Sequence, residues 1–93
     1  MKAWPFEDPE NVATLTVGKI VKWGAAILMV CHDAEDGSWQ FLTGEPSDME
    51  DAMLVALKEI VARDSSVIEL ADLPLGWCAS RKHPGAPWER HLS

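Results

Sequence analysis

The chain has 93 residues, of which 47% are hydrophobic and 25% charged, so it predicts one folded domain and excludes a disordered tail. Its longest apolar run, Ala25 to Cys31, is far shorter than the roughly 18 residues of a membrane-spanning helix. The net charge of −7 repels phosphate backbones and argues against nucleic-acid binding. The first nine residues lack the apolar core and cleavage site of a signal peptide, which predicts a cytoplasmic protein.

The charge is unevenly distributed along the chain. Residues 33–72 contain 11 acidic and two basic side chains, a balance of −9, whereas residues 73–93 carry +2 and the first 32 residues are neutral. Such a field would attract a cationic protein partner. The simpler interpretation is a surface that keeps the domain soluble.

The first elements are short. Val12 to Leu15 alternates weakly and predicts an edge strand, while residues 1–11 before it predict an irregular segment. Thr16 is a candidate N-cap for a helix from Val17 to Trp23, and Gly24 is placed to end that helix. Gly18 would weaken the helix by roughly 1 kcal/mol relative to alanine.

A hairpin signature covers Ile27 to Leu42. Two apolar runs, Ala26–His32 and Trp39–Leu42, flank an acidic connection in which Asp36-Gly37 supplies positive φ angles. The first run is apolar on both faces, so we expect this strand to lie centrally in the sheet.

The main helix is predicted between Ser47 and Ala62. Ser47 and Glu50 match a capping box, and an apolar stripe follows at Met49, Met53, Leu57 and Ile60, widened by Ala52, Leu54, Ala56 and Val61. Ser65 or Ser66 would cap one or two further helical turns that end before Pro74.

Gly76 opens a C-terminal strand that includes Trp77 and Arg81, and residues 84–93 predict a second irregular segment. The pattern indicates a single α+β domain over residues 1–93, with a small mixed or antiparallel sheet. The hairpin and the C-terminal strand form that sheet, and one main helix and two short helices pack on it.

Cys31 and Cys78 each lie in an apolar, strand-like run, which favours buried free thiols. A disulfide would require their two strands to be neighbours. Together with His32 and His83 they lack the spacing of a zinc finger or ribbon, and we expect no metal and no cofactor.

Catalytic patterns are weak. His32 and Asp33 are adjacent on a strand and so point to opposite faces, which favours a strand-end histidine with a backbone or water partner. Asp33, Glu35 and Asp36 lack the register of a calcium loop and predict a solvated acidic turn. No nucleophile or nucleotide motif occurs, so we expect no enzyme.

Five tryptophans stand out in so small a chain. Trp39 and Trp77 are the best core candidates, because they lie inside predicted strands. Trp4 and Trp88 lie in proline-flanked segments, either as lids over the sheet or as anchors for a partner or a second subunit. Two nearby arginines, at positions 81 and 90, suit carboxylate recognition, although ion pairs with the chain's own acids are favoured.

Taken together, the segments resemble small uncharacterised bacterial proteins of the domain-of-unknown-function 2185 type, which are loosely grouped with toxin-immunity proteins. The matching residues are His32-Asp33, Asp36-Gly37, Trp39-Gln40-Phe41, Asp51-Ala52, Leu70-Ala71-Asp72-Leu73-Pro74, Gly76-Trp77, Ala79, Arg81 and Pro87-Trp88. The resemblance implies binding and neutralising a toxin without catalysis. Cys78 and Ser80 stand where relatives vary, so it implies no role for a thiol.

The sequence therefore favours a non-enzymatic cytoplasmic binding module with a protein partner, and with neither nucleic acid nor membrane as its target. The candidate contact residues are His32, Asp33, Trp39, Trp77, Arg81 and Trp88. One alternative is a small-ligand sensor or enzyme accessory with a pocket near His32, Trp39, Trp77 and Arg81. Another is a self-associating structural domain whose tryptophans pack across a homodimer.

Overall fold

A computed structural model describes residues 3–93, which form an α+β domain and confirm the predicted fold class. The strands are β1 (Ala13–Val17), β2 (Met29–His32), β3 (Trp39–Leu42), β4 (Ala52–Ala56), β5 (Trp77–Ser80) and β6 (Glu89–Leu92). The helices are α1 (Gly18–Trp23) and α2 (Leu57–Arg63), with 3-10 helices at Asp48–Asp51 and Ser65–Leu70. No helix within residues 3–93 is long and apolar enough to cross a bilayer.

All six strands belong to one mixed sheet in the order β4-β1-β3-β2-β5-β6. The pair β1–β3 is parallel, and the other four neighbouring pairs are antiparallel. Because β2 pairs with β3 on one side and β5 on the other, its predicted central position is confirmed.

The two faces of this sheet differ. On the face that we name the covered face, strand side chains pack against α2 and the second 3-10 helix in a single core. Its fully buried members include Thr14, Thr16, Val30, Phe41 and Ala79 from the strands, and Leu57, Ile60, Val67 and Leu70 from the helical layer. On the opposite face, which we name the open face, Ala13, Ala52 and Leu54 are exposed, whereas Val17, Leu42 and Cys78 are buried.

The hairpin prediction is confirmed. Strands β2 and β3 pair antiparallel from Met29↔Leu42 to His32↔Trp39. Asp33 N–H donates to the Ser38 carbonyl at 2.8 Å, and Gly37 alone of the predicted Asp36-Gly37 pair has a positive φ, of 72°. This conformation suits glycine because a β carbon would be strained there.

The prediction of one helix from Ser47 to Ala62 is wrong. Ser47 precedes a single 3-10 helix, and the five apolar residues Ala52–Ala56 then form an edge strand before α2 begins at Leu57. A short apolar run fits either a helix or a strand, and here pairing with all five residues of β1 decides. Leu57 and Ile60 are fully buried as expected, whereas Met49 and Leu54 are exposed.

The N-terminal segment takes over the role of a cap for α2. The N–H groups of Leu57 and Lys58 donate to the carbonyls of Val12 and Glu10, each at 2.9 Å. These bonds satisfy two donors that the first helical turn leaves without partners. A contact that is distant in sequence therefore allows the helix to follow a strand directly.

The first strand and helix also differ from expectation. β1 lies between β4 and β3, so it is not an edge strand, and Thr16 lies within it. The Thr16 hydroxyl donates to the Phe41 carbonyl at 2.8 Å and does not cap a helix. The carboxylate of Asp51 does that instead, since it accepts the N–H of Lys19 at 2.8 Å, and Gly24 ends α1 with a φ of 73° as predicted.

Two further corrections concern the second half of the chain. The cap of the second 3-10 helix is Asp64, which accepts the N–H of Ser66 at 3.0 Å, and it is neither of the two serines that follow. Residues 84–93 are not wholly irregular, because Glu89–Leu92 pair with β5 as an outer strand. All four β6 residues are exposed, so this strand has no need of the alternating apolar residues by which a sequence indicates a strand.

Candidate functional site

Three of the predicted contact residues form one row on the covered face. His32 stands directly opposite Trp39 on one side and Trp77 on the other. Its ring stacks on Trp39 with centroids 3.9 Å apart and planes at 10°. The Nδ1 atom of His32 lies 2.7 Å from the Leu73 carbonyl oxygen, which can only accept, so Nδ1 carries the proton. The expected strand-end histidine with a backbone partner is confirmed.

Arg81 lies on the same face, directly after the end of β5, and its guanidinium binds partners inside the fold. Nε and Nη2 donate to the Ile27 carbonyl, Nη1 donates to the Ser66 hydroxyl, and Nη2 pairs with Asp64 at 2.6 Å. Only 2% of the side chain is exposed. The expected ion pair with one of the chain's own acids is confirmed.

The terminal tryptophans pack as lids. Trp88 is half-buried, and the guanidinium carbon of Arg81 lies 4.2 Å from the centroid of its ring. Trp4 is also half-buried against the core, contacts Phe6, and donates its indole N–H to the Asp8 carbonyl at 2.7 Å. The indole rings of Trp4 and Trp88 therefore pack their inner surfaces against the core of the domain.

The expectation of free thiols is wrong, because Cys31 and Cys78 form a disulfide. They are directly opposed residues of the antiparallel pair β2–β5, with Cα atoms 4.1 Å apart. The condition that the two strands be neighbours is thus met. Neither apolar run reveals this register, since it results from the arrangement of the whole sheet.

The disulfide lies in the middle of a row that crosses the open face. The cross-strand partners in this row, from edge to edge, are Leu54, Leu15, Gln40, Cys31, Cys78 and His91. From β4 to β5 the side chains on this face carry no charge; they are Ala13, Leu15, Val17, Met29, Cys31, Gln40, Leu42, Ala52, Leu54, Ala56, Cys78 and Ser80. Leu54 is 67% exposed, and neither it nor Leu15 belongs to the core.

A cleft of about 420 Å³ lies beside the disulfide at the hairpin end of the sheet. Both cysteines, His32, Gln40 and the turn residues Asp33, Ala34 and Glu35 line it, with Ser93. The carboxylate of Asp33 accepts the N–H of Glu35 at 2.7 Å. One end of the open face is therefore polar and negatively charged.

The acids of residues 33–72 do not form one continuous surface. Glu35 and Asp36 are in the β2–β3 turn, whereas Glu45 follows β3 at the other end of the same strands and pairs with Lys19 at 2.8 Å. Hydrogen bonds from the backbone and hydroxyl of Ser38 lower the pKa of the exposed Asp36 carboxyl. Asp64 and Asp72 form ion pairs with Arg81 and Arg90. The acids of the hairpin turn, Glu35 and Asp36, therefore form a separate negative patch.

Leu54 and Leu15 were not singled out by the sequence, because the apolar stripe that contains Leu54 also fits a buried helix. The useful signal was the uninterrupted run of five apolar residues from Ala52 to Ala56, which a strand can also accommodate. Which of its residues face solvent depends on the pairing with β1. Sequence pattern alone does not contain that information.

Comparison with family models, with curated proteins and with solved structures gives no match for this chain.

Proposed function

We propose that the protein is a non-enzymatic cytoplasmic binding module whose open face receives a protein partner with an apolar centre and basic surroundings. The observation that carries this proposal is the part of the open face from β4 to β5, which has no charged side chain and exposes Leu54 next to Leu15. The resemblance to small bacterial proteins grouped with toxin-immunity proteins supports a partner of this kind. Under it, the partner would be a toxin that the protein neutralises.

The composition of the open face fits a protein interface. Specific interfaces have a centre depleted of charge and a polar rim. Here the side chains of this face are uncharged from β4 to β5, the exposed ones are Ala13, Ala52 and Leu54, and Asp33 and Glu35 lie at the hairpin end. A partner that covers Leu54 would remove a large apolar side chain from water, which contributes roughly 1.5–3 kcal/mol when burial is complete.

Charge favours a different protein over a second copy of this chain. Two copies would each bring a net charge of −7, and their fields oppose association. A basic partner instead gains from the acids of the hairpin turn, mainly through a faster association rate. Self-association through the open face is therefore the less favoured alternative, and the experiment below distinguishes it.

The small-ligand alternative has less support. His32, Trp39 and Trp77 do come together, but the ring of His32 is held by Trp39 and Leu73. Trp39 is 2% exposed, and the guanidinium of Arg81 has its partners inside the fold. These side chains stabilise the sheet and its helical layer, which leaves little of them for a ligand.

The test compares Leu54→Asp with Leu92→Asp. Both leucines are on edge strands and are exposed to a similar extent, 67% and 69%, but Leu92 pairs with Trp77 and so lies on the other face of the sheet. A partner captured from the native host is purified, and its Kd is measured for the parent and both variants. We expect Leu54→Asp to raise Kd at least tenfold and Leu92→Asp to leave it within twofold. Equal effects would overturn the proposal, and so would a parent dimer that only Leu54→Asp dissociates in sedimentation experiments.

A further inference from the structure

We propose that the Cys31–Cys78 disulfide is a thiol–disulfide exchange site that accepts a cysteine thiolate carried by a cationic peptide segment. The inference goes beyond the proposed docking function. It depends on the disulfide and the hairpin turn, whereas the docking test depends on Leu54, so either can fail without the other. The cytoplasmic location proposed above agrees with this role, because disulfides in that compartment are mostly redox-sensing or catalytic.

Exposure differs between the two cysteine residues. Cys78 is 2% exposed, while Cys31 is half-buried, and both border the cleft of about 420 Å³. A thiolate must approach one sulfur directly, so exposure decides which sulfur is attacked. The cleft therefore directs the incoming thiolate to Cys31 and makes Cys78 the leaving group.

The sheet does not depend on the disulfide to hold its strands in place. β2 and β5 are paired over four residues, and each has a second neighbour, β3 and β6 respectively. The backbone N–H of Arg81 also donates to the Leu28 carbonyl at 3.0 Å, just beyond the paired residues of β2 and β5. Opening the bond therefore changes the surface of the cleft and leaves the ladder around it in place.

The chemical step is a balanced exchange. The entering thiolate forms a bond to Sγ of Cys31, the Cys31–Cys78 bond breaks, and its electron pair leaves on Sγ of Cys78. The product is a mixed disulfide on Cys31 and a thiolate on Cys78, with no net oxidation. His91 is the cross-strand neighbour of Cys78 on the side away from Cys31.

The negative charge of the cleft favours a thiol that is carried by a cationic molecule. Asp33 and Glu35 line the cleft, and neither a lysine nor an arginine does so among the described residues. Anionic thiols are repelled from such a cleft, whereas a cysteine flanked by arginine or lysine is attracted. The same acids that favour a basic docking partner thus favour a basic segment as the thiol donor.

The test uses two synthetic peptides, one with a single cysteine between arginines and one with a single cysteine between glutamates. Each is added at low salt to the oxidised native protein, and adducts are mapped by mass spectrometry without reduction. We expect an adduct on Cys31 with a free Cys78, formed about tenfold faster by the arginine peptide, and a smaller ratio at high salt. Glu35→Gln should reduce the ratio, while Glu59→Gln, an exposed acid on α2, should not.

Three results would overturn the proposal: an adduct mainly on Cys78, equal rates for the two peptides, or reaction only after denaturation.

Discussion

The Arg81 guanidinium and the Asp64 carboxylate connect the covered face of the sheet to the helical layer, with Nη2 and Oδ2 2.6 Å apart. Arg81 follows β5, and Asp64 lies between α2 and the second 3-10 helix, whose Ser66 hydroxyl also contacts both side chains. The arginine is almost fully buried, while the aspartate is partly exposed. The pair therefore holds a buried cation in place with an anion that water still reaches.

Replacing Asp64 should test how much the fold depends on this pair. Asp64→Asn leaves the buried guanidinium without a counter-charge, and we expect a loss of about 3 kcal/mol in the free energy of unfolding. Asp72→Asn is the matched control, because Asp72 pairs with the more exposed Arg90 at the same distance of 2.6 Å. That change should cost no more than about 1 kcal/mol. Similar losses for both variants in chemical denaturation would contradict the structural role of the buried pair.

Stability should also depend on pH through Asp64. Desolvation raises the pKa of its carboxyl, but hydrogen bonds from Ser66 and the contact with Arg81 outweigh it, so the folded pKa lies below the ordinary 3.8. A lowered folded pKa gives stability that is present above the unfolded pKa and is lost as pH falls through the folded value. Denaturation curves at pH 7, 4 and 2 should show the difference between parent and Asp64→Asn shrinking toward acid. A constant difference would exclude this linkage.

Truncation of two leucines three residues apart should reduce stability to very different extents. Leu57 is fully buried at the start of α2, so Leu57→Ala should cost about 2–5 kcal/mol through lost burial and a cavity. Leu54 is exposed on the open face, so Leu54→Ala should change stability by less than about 0.5 kcal/mol. Thermal melts of both variants test whether Leu57 is buried and Leu54 is exposed where β4 passes into α2. Comparable losses would mean that Leu54 is covered.

Replacing Gly18 by alanine should not give the gain in stability that alanine usually gives in a helix. A β carbon there would lie 2.7 Å from Oδ1 of Asp51, whose carboxylate accepts the Lys19 N–H. We expect Gly18→Ala to lose about 1 kcal/mol, the typical value of a helix cap, in place of gaining stability. In an Asp51→Ala background the same change should be neutral or stabilising. A double-mutant cycle measures this coupling, and additive effects would argue against the close approach.

Reduction of the disulfide should lower stability without removing the sheet. Cys31 and Cys78 are 47 residues apart, and closing a loop of that length is worth about 4 kcal/mol in the chain-entropy description. Urea denaturation of the oxidised and reduced protein measures the loss, and far-ultraviolet circular dichroism monitors the strands. Equal midpoints for the two forms would show that the cross-link does not constrain the unfolded chain.

The features that sequence predicted are those fixed by nearby residues. The hairpin followed from two apolar runs and Asp36-Gly37, and Gly24 marked the end of α1, because a positive φ is a local requirement. The apolar run of β4 fits the period of a helix as well as that of a strand, and only pairing with β1 decides between them. The disulfide and the open face escaped prediction for the same reason, because register across several strands determines them.

The position of β1 has a consequence for the order in which the chain acquires its structure during synthesis. β1 is made first, yet its two neighbours are β3 and β4, which are completed only at residues 42 and 56. β1 therefore has no strand to pair with until residue 42, the end of β3, has left the ribosome. Contacts of such long sequence separation slow folding. During that interval the apolar residues of β1 are exposed, and chaperone binding is then most useful to this chain.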